Sequence, residues 1–334
     1  MSKKPSIIGL FAGVGGIELG FKKAGFEALA ANELDGYAVK TYSANHSHAV
    51  LEADIKDVTG KELLSFSDED SVTVLAGGFP CQPFSVAGYR KGFDDDRGNV
   101  FWEIHRLAVE LSPKVIFLEN VKNLENHDQG RTFQTIKNAL EGSIESPSGQ
   151  KITPGYTVVS KVLNAKDFGI PQNRERIFIV AFRDPEVAAR FAFPDPIETP
   201  IKQRPLSDFI DFESKVDDKY YYDAKRPFYA ELEKEIVSSD TVYQWRRQYV
   251  RANKSGLCPT LTANMGMGGH NVPLVLTKHG IRKLTPAECF RLMGFESVIQ
   301  PAGMAESRLY KQAGNAVVVP VIQAIAEGIR VALG

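Results

Sequence analysis

Cys81 lies within Gly78-Phe79-Pro80-Cys81-Gln82-Pro83-Phe84, just beyond an apolar run, Val72-Thr73-Val74-Leu75-Ala76, that reads as a buried strand. A thiol fixed at a strand end by a rigid proline is set up for nucleophilic attack. An unperturbed cysteine, with a pKa of about 8.5, is only a few per cent thiolate at neutral pH, so its surroundings must activate it. A lone cysteine is more often a small buried apolar residue, but the flanking glycine and prolines favour the nucleophile. Thirty-eight residues later a second apolar run, Val115-Ile116-Phe117-Leu118, ends in Glu119-Asn120-Val121. A thiol and a carboxylate at two strand ends of one sheet can meet over one substrate.

Phe11-Ala12-Gly13-Val14-Gly15-Gly16 follows the first strand-like run and opens a helical one. Glycines there allow a tight turn and the close approach of a nucleotide. Glu33, twenty residues beyond Gly13, ends the second strand, where a carboxylate can accept bonds from ribose hydroxyls. The pattern suits NAD, FAD or S-adenosylmethionine, yet the third glycine of a dinucleotide fingerprint is missing and Glu18 stands in its place. Gln172-Asn173-Arg174-Glu175-Arg176 is either a polar turn or a functional pair of arginines. Two apart at a strand start, Arg174 and Arg176 are predicted to share a side.

These residues need a scaffold. Strands read at 6–11, 27–32, 72–76, 114–119, 156–163 and 176–182, and helices near 16–25, 36–45, 98–111 and 131–142. Alternation of this kind predicts an α/β fold, a mostly parallel sheet with helices on both faces. Its ligands belong beyond the carboxyl ends of the strands, where the motifs above fall. Past Arg183 a proline-rich linker leads into 206–280, a polar, aromatic stretch that reads as a smaller, irregular domain. Thr285, Pro286 and Glu288 form a capping-box signature for a helix start. The apolar stretch 317–333 reads as a helix that packs back on the first domain. The domains are therefore predicted as 1–182 completed by 284–334, and 183–283.

At 43% apolar and 24% charged residues, the chain has the make-up of a soluble globular protein. No run of about 18 apolar residues suggests a membrane span. Three cysteines give no disulfide or metal framework, so no metal and a reducing cytoplasm are expected. The net charge of −1 advertises no polyanionic partner, but its distribution is uneven. Segment 205–240 holds five Lys/Arg and ten Asp/Glu, whereas 241–283 holds seven Lys/Arg and no acid. Such a strip is either a solvated surface or a face for phosphates.

Six motifs occur in one order: the 11–16 glycine turn, Pro80-Cys81-Gln82, Glu119-Asn120-Val121, Gln172 to Arg176, the 282–295 stretch and Gly314-Asn315-Ala316-Val317. In this the chain resembles a bacterial DNA (cytosine-5) methyltransferase of the restriction-modification type, over nearly its whole length. The resemblance implies a Rossmann-like, S-adenosylmethionine-dependent methyltransferase domain, with a target-recognition domain at 183–283. It implies methyl transfer to C5 of a flipped-out cytosine in a short duplex DNA site, leaving S-adenosylhomocysteine. Cys81 would add to C6, and Glu119 would meet N3 and the exocyclic amine. Arg176 would bond O2, and Arg174 would help to hold the thiol loop. Phe11, Gly13, Gly15, Gly16, Glu33, Asp54, Pro80, Asn315 and Val317 would line the cofactor site. Many relatives carry an aromatic residue after the ribose-binding glutamate, where this chain has Leu34.

The loop at 84–98, with Ser85 and Arg97, would close on the DNA and offset the cost of flipping, a few kcal/mol. Thr260, in Pro259-Thr260-Leu261-Thr262-Ala263, matches the family's recognition signature and would contact a phosphate. Arg246, Arg247 and Arg251 are candidate base readers, since arginine bonds guanine bidentately. The recognition segments resemble those of enzymes for CCGG or CCNGG sites. A monomer with double-stranded DNA as its partner, and no obligate protein partner, is expected. Three other readings compete. A tRNA cytosine-5 methyltransferase would carry a Cys-Phe-Thr signature absent here, and a nucleotide-dependent oxidoreductase would need a resolving cysteine near Cys81. A catalytically dead DNA-binding scaffold would have lost the thiol or the carboxylate.

Overall fold

The structure, a computed structural model, describes residues 4–79, 100–197, 204–246, 248–253, 256–266 and 272–334. The chain divides into two compact units, one of residues 1–163, 175–195 and 321–334, the other of 164–174 and 196–320. This boundary differs from the one drawn from sequence. Residues 284–320 pack with the second unit, and only the end of the apolar C-terminal stretch returns to the first.

The first unit begins with β1 (Ser6–Leu10), α1 (Gly16–Lys23), β2 (Glu27–Glu33), α2 (Gly36–Asn45), β3 (Ala49–Glu52), α3 (Gly60–Leu64) and β4 (Val74–Gly78). It continues with α4 (Val100–Leu111), β5 (Val115–Val121), α5 (Arg131–Leu140) and β6 (Thr157–Asn164). After the short β7 (Gln172–Asn173), which belongs to the other unit, come β8 (Glu175–Phe182) and α6 (Pro185–Arg190). The seven strands run in the order β3-β2-β1-β4-β5-β8-β6. The first five are mutually parallel, and β8 lies antiparallel to β5. All five residues of β1 are buried, as a strand covered on both faces requires.

Alternation along the strands divides the core. Ile8, Leu10, Leu75, Ile116 and Leu118 face Ile104 and Leu107 of α4 and Ile136 and Leu140 of α5 in one apolar cluster. The helical spacing of Phe101, Ile104, Leu107, Ala108 and Leu111 turns one stripe of α4 onto the sheet. On the other face the Phe117 ring meets Phe21 of α1 edge-on at 5.2 Å. Burying each such side chain fully contributes about 1.5–3 kcal/mol.

The second unit holds α7 (Tyr229–Glu235), β9 (Val242–Trp245), β10 (Val250–Asn253), β11 (Cys258–Pro259), β12 (Leu274–Thr277) and β13 (Gly280–Lys283). The helices α8 (Pro286–Arg291) and α9 (Glu306–Asn315) follow, and α10 (Val319–Leu333) leads back to the first unit. Far from irregular, the unit is built on an antiparallel sheet ordered β10-β9-β12-β13. Tyr243, Leu274 and Ile281 of that sheet pack on Leu232 and Ile236. The capping box is formed as read: Thr285 accepts from the Glu288 amide while the Glu288 side chain accepts from the Thr285 amide. Glu288 also takes Arg282 at 2.6 and 2.8 Å, so that arginine is withdrawn from the surface of the basic strip. The helical stretch 306–333 is long enough, and apolar enough over one window of 18 residues, to resemble a membrane span. However, Ala316 is extended, which breaks the run into two helices, and Val321, Ile322, Ile325, Ala326 and Ile329 are buried in the protein.

Candidate active site and nucleic-acid interface

In the first unit the chain leaves β1 through Phe11, whose φ of 53° is left-handed and unusual for a residue with a side chain. Gly13 (φ 57°) and Gly15 (φ 83°) continue the turn, and Gly15 caps α1. A side chain on Gly15 would collide with His46, its Cβ 2.1 Å from Nε2, whereas the space over Gly13 is open. Glu33 secures the turn from the end of β2. One carboxylate oxygen accepts from the Gly13 amide and the other from the Asp35 amide, each at 2.8 Å. Beside it Leu34 is 65% exposed, an apolar side chain left facing outward at the mouth of the turn. Asp54, past the end of β3, accepts from the Lys56 amide at 3.1 Å and so caps a short 3-10 turn.

Three further residues shape this region without a signal obvious in sequence. Asn32 donates to the carbonyls of Leu51 (3.2 Å) and Ala53 (2.9 Å), tying β3 and the Asp54 turn to β2. His46 bonds the Val14 carbonyl at 3.0 Å and stacks near Tyr42, with ring centroids 4.4 Å apart. Burial lowers its pKa, so it serves as a neutral prop beneath the glycine turn. Glu18 is buried, its carboxylate has no hydrogen-bond partner, and a Cβ on Gly9 would lie 1.7 Å from its Oε1. Desolvation pushes its pKa up to about 8, with the Glu33 charge adding to the rise. The clue in sequence was only that Glu18 stood where a third glycine belonged.

Glu119 pairs in register with Gly78 of β4 and with Phe178 of β8. Arg176 stands opposite Val121 and reaches diagonally back, its Nε 3.0 Å from Glu119 Oε1. Both side chains are mostly shielded, at 18% and 11% exposure. Asn120 donates to the Phe79 carbonyl at 3.1 Å and so fixes the end of β4. The Cys81 segment departs from that end. Cys81 itself, Pro80, Ser85 and Arg97 lie outside the described residues, as does Arg247 in the second unit.

Within the second unit Arg174 does not sit in strand register with Arg176, because it precedes β8. Arg174 is 3% exposed and donates to the carbonyls of Leu261 (2.7 Å), Ala316 (2.8 Å) and Gly314 (3.2 Å). Gln172, fully buried, donates to the Leu292 carbonyl and accepts from the Leu261 amide. The neighbouring β7 pairs in parallel with β11, and Thr260 Oγ1 donates to the Asn173 carbonyl at 2.6 Å. The Gln172 to Arg174 segment is thus a brace for the Thr260-Leu261 segment. Gly314 completes it, since a Cβ there would lie 2.2 Å from the Thr262 carbonyl. Asn315 is exposed and Val317 half-buried. Arg246 and Arg251 are exposed on a polar cleft of about 440 Å³ that Thr260 also lines.

Comparison with known proteins gives the family and the fold. A family model described as C-5 cytosine-specific DNA methylase matches residues 6–330. The chain is 52% identical over 328 residues to the Type II methyltransferase M.Bsp6I of Bacillus sp. (strain RFL6), covering 97% of this chain and 98% of the relative. It is 37% identical over 343 residues to the Type II methyltransferase M.NlaX of Neisseria lactamica, covering 98% and 96%. Among solved structures, the Entamoeba histolytica methyltransferase EhMeth superposes with a TM-score of 0.71 over 100% of both chains at 18% identity, a likeness of fold.

Proposed function

Because the chain belongs to the C-5 cytosine-specific DNA methylases and is a DNA (cytosine-5) methyltransferase, we propose that it methylates a flipped-out cytosine in a short duplex site through a Cys81 adduct. The observation that carries this reading is the Glu119–Arg176 pair, held where β4 runs on toward Cys81. Cytosine C5 is a poor nucleophile. Addition of the Cys81 thiolate to C6 makes the ring an enamine and renders C5 nucleophilic. Glu119 meets N3 and the exocyclic amine as charge develops there, and Arg176 fixes both that carboxylate and O2. Loss of the C5 proton and expulsion of the thiolate then restore the aromatic ring.

S-adenosylmethionine supplies the methyl group, and the turn after β1 fits it. The space over Gly13 is open, Glu33 is half-buried at the ribose position, and Leu34 offers an exposed apolar side chain to cover an adenine face. Phe11, Gly15, Gly16, Asp54 and Pro80 complete that assignment from the first unit; Asn315 and Val317 are assigned by resemblance. Arg174 acts by bracing the Thr260-Leu261 segment, and Ser85 and Arg97 by gripping the DNA backbone after flipping. The second unit binds duplex DNA through Arg246, Arg247, Arg251 and Thr260. Duplexes carrying CCGG and CCNGG are the first substrates to try.

The test is transfer of labelled methyl from S-adenosylmethionine to unmethylated duplex DNA and, in parallel, to bulk tRNA. Label recovered as 5-methylcytosine in DNA, lost in Cys81→Ser with DNA binding retained, is expected. Label in tRNA alone, or near-normal turnover by the serine variant, would overturn the reading.

A further inference from the structure

One wall of the polar cleft of the second unit is a face of β9 and β10, the outer pair of the four-stranded sheet, and the rest of its lining comes from Asn173 and the 257–264 segment. In β9 and β10, Trp245 pairs with Val250 and Tyr243 with Ala252, and these four side chains pack into the apolar cluster. Alternation sends their neighbours to the opposite face. There Gln244 stands directly across from Arg251, Arg246 follows Gln244 by two positions, and Asn253 follows Arg251 by two. All four line the cleft, and among the described residues that line it none is acidic. β10 is the outer strand of its sheet, and a pair of strands at such an edge can present side chains to the major groove of duplex DNA.

The hydrogen bonds on this face sort its chemistry. Arg246 Nη2 donates to Gln244 Oε1 at 2.9 Å, which orients the guanidinium and occupies the amide oxygen of Gln244. What Arg246 then presents is the rest of its guanidinium fork, a group that can only donate. Asn253 gives one Nδ2 hydrogen to the Val242 carbonyl at 2.9 Å, which orients the amide and leaves its oxygen and second N–H able to bond a ligand. Among base edges in the major groove, guanine alone shows two adjacent acceptors, N7 and O6. A phosphate would also accept from arginine, but it needs no orienting glutamine and no apolar anchoring of the opposite face.

We propose that Arg246, oriented by Gln244, reads a guanine of the target site through N7 and O6. The inference rests on the reading of the protein as a duplex-DNA methyltransferase. Arg246 is the specificity-determining residue and Gln244 its positioning residue.

The test uses the full chain and a pool of duplexes randomised around the mapped target, with 5-methylcytosine read by sequencing at fixed salt. Arg246→Lys keeps the charge but loses the planar fork. It is expected to lower discrimination at one G·C pair by about 5- to 150-fold, the span of one bidentate contact, and to leave other positions unchanged. Gln244→Ala is expected to relax the same position to a smaller extent, and decides the matter should the lysine variant be inactive. Unaltered discrimination at every position in both variants would overturn the proposal. So would a uniform loss of binding with a shallower salt dependence in Arg246→Ala, which marks a phosphate contact. Methylation of no duplex at all by the unaltered enzyme would instead strike the parent reading, and the proposal with it.

Discussion

Arg176 and Glu119 sit on antiparallel neighbours, two positions apart on the diagonal, with Nε 3.0 Å from Oε1. The register of β5 against β8 therefore sets the aim of the carboxylate. Loss of either partner is expected to act on turnover. Glu119→Gln should lower kcat by about 10²- to 10⁴-fold, the range for a positioned acid–base group. Arg176→Lys should fall short of rescue, because an ammonium cannot bond the carboxylate and a second acceptor in one plane. Single-turnover rates with saturating DNA and cofactor measure both. A lysine variant as fast as the parent would remove Arg176 from the chemistry.

Glu33 does more than wait for a ribose. Its two oxygens hold the amides of Gly13 and Asp35, so the open turn over Gly13 depends on it. Glu33→Gln turns an NH₂ group toward one of those amide donors and leaves it unpaired. The expected result is cofactor affinity weakened by about 10-fold or more, the effect of losing one hydrogen bond to a charged group at about 1.5–3 kcal/mol. Calorimetric titration with S-adenosylhomocysteine reads it directly. Unchanged affinity would show that the turn stands without Glu33.

Much of the first unit was legible because its strands are apolar on both faces, and runs such as Val115-Ile116-Phe117-Leu118 have no other simple home. The glycine turn and the Glu33 carboxylate were legible for a similar reason: they lie within one β-α-β stretch. The direction of β8 was not, since nothing local distinguishes a strand running antiparallel to β5. Strands β9, β10, β12 and β13, four residues each, are too short for a period to emerge from a polar, aromatic background. In sequence Arg174 and Arg176 look like one alternating pair, but only Arg176 lies in β8. The partners of Arg174, Leu261, Gly314 and Ala316, lie 87 to 142 residues away, a separation that no spacing rule reports.

That brace carries its own prediction. Arg174→Ala leaves three buried carbonyls without a charged donor and is expected to cost about 3–5 kcal/mol of stability. Arg174→Lys should recover only part, since one ammonium cannot serve the span of a guanidinium. Urea unfolding of the variants measures the loss. A cost within about 0.5 kcal/mol, as for an ordinary surface substitution, would contradict the role.

Glu18 makes stability depend on pH. Desolvated by burial against Gly9, and near the charge of Glu33, its carboxyl is held protonated up to about 8, against an ordinary value of 4.5. A folded-state pKa raised in this way means that the native protein binds the proton more tightly than the unfolded chain does. The associated stability is present in full below the unfolded value of 4.5 and is lost as pH rises toward about 8. Glu18→Gln keeps the shape and cannot ionise, so its unfolding free energy should fall less steeply across that window, with the gap between variant and parent widening in its favour as pH rises. Gly9→Ala should destabilise at every pH, because its Cβ would displace the carboxyl 1.7 Å away, at a cost of about 1–3 kcal/mol for overpacking. Parallel slopes for the parent and Glu18→Gln would mean that Glu18 is already ionised at neutral pH and that a different group governs the window.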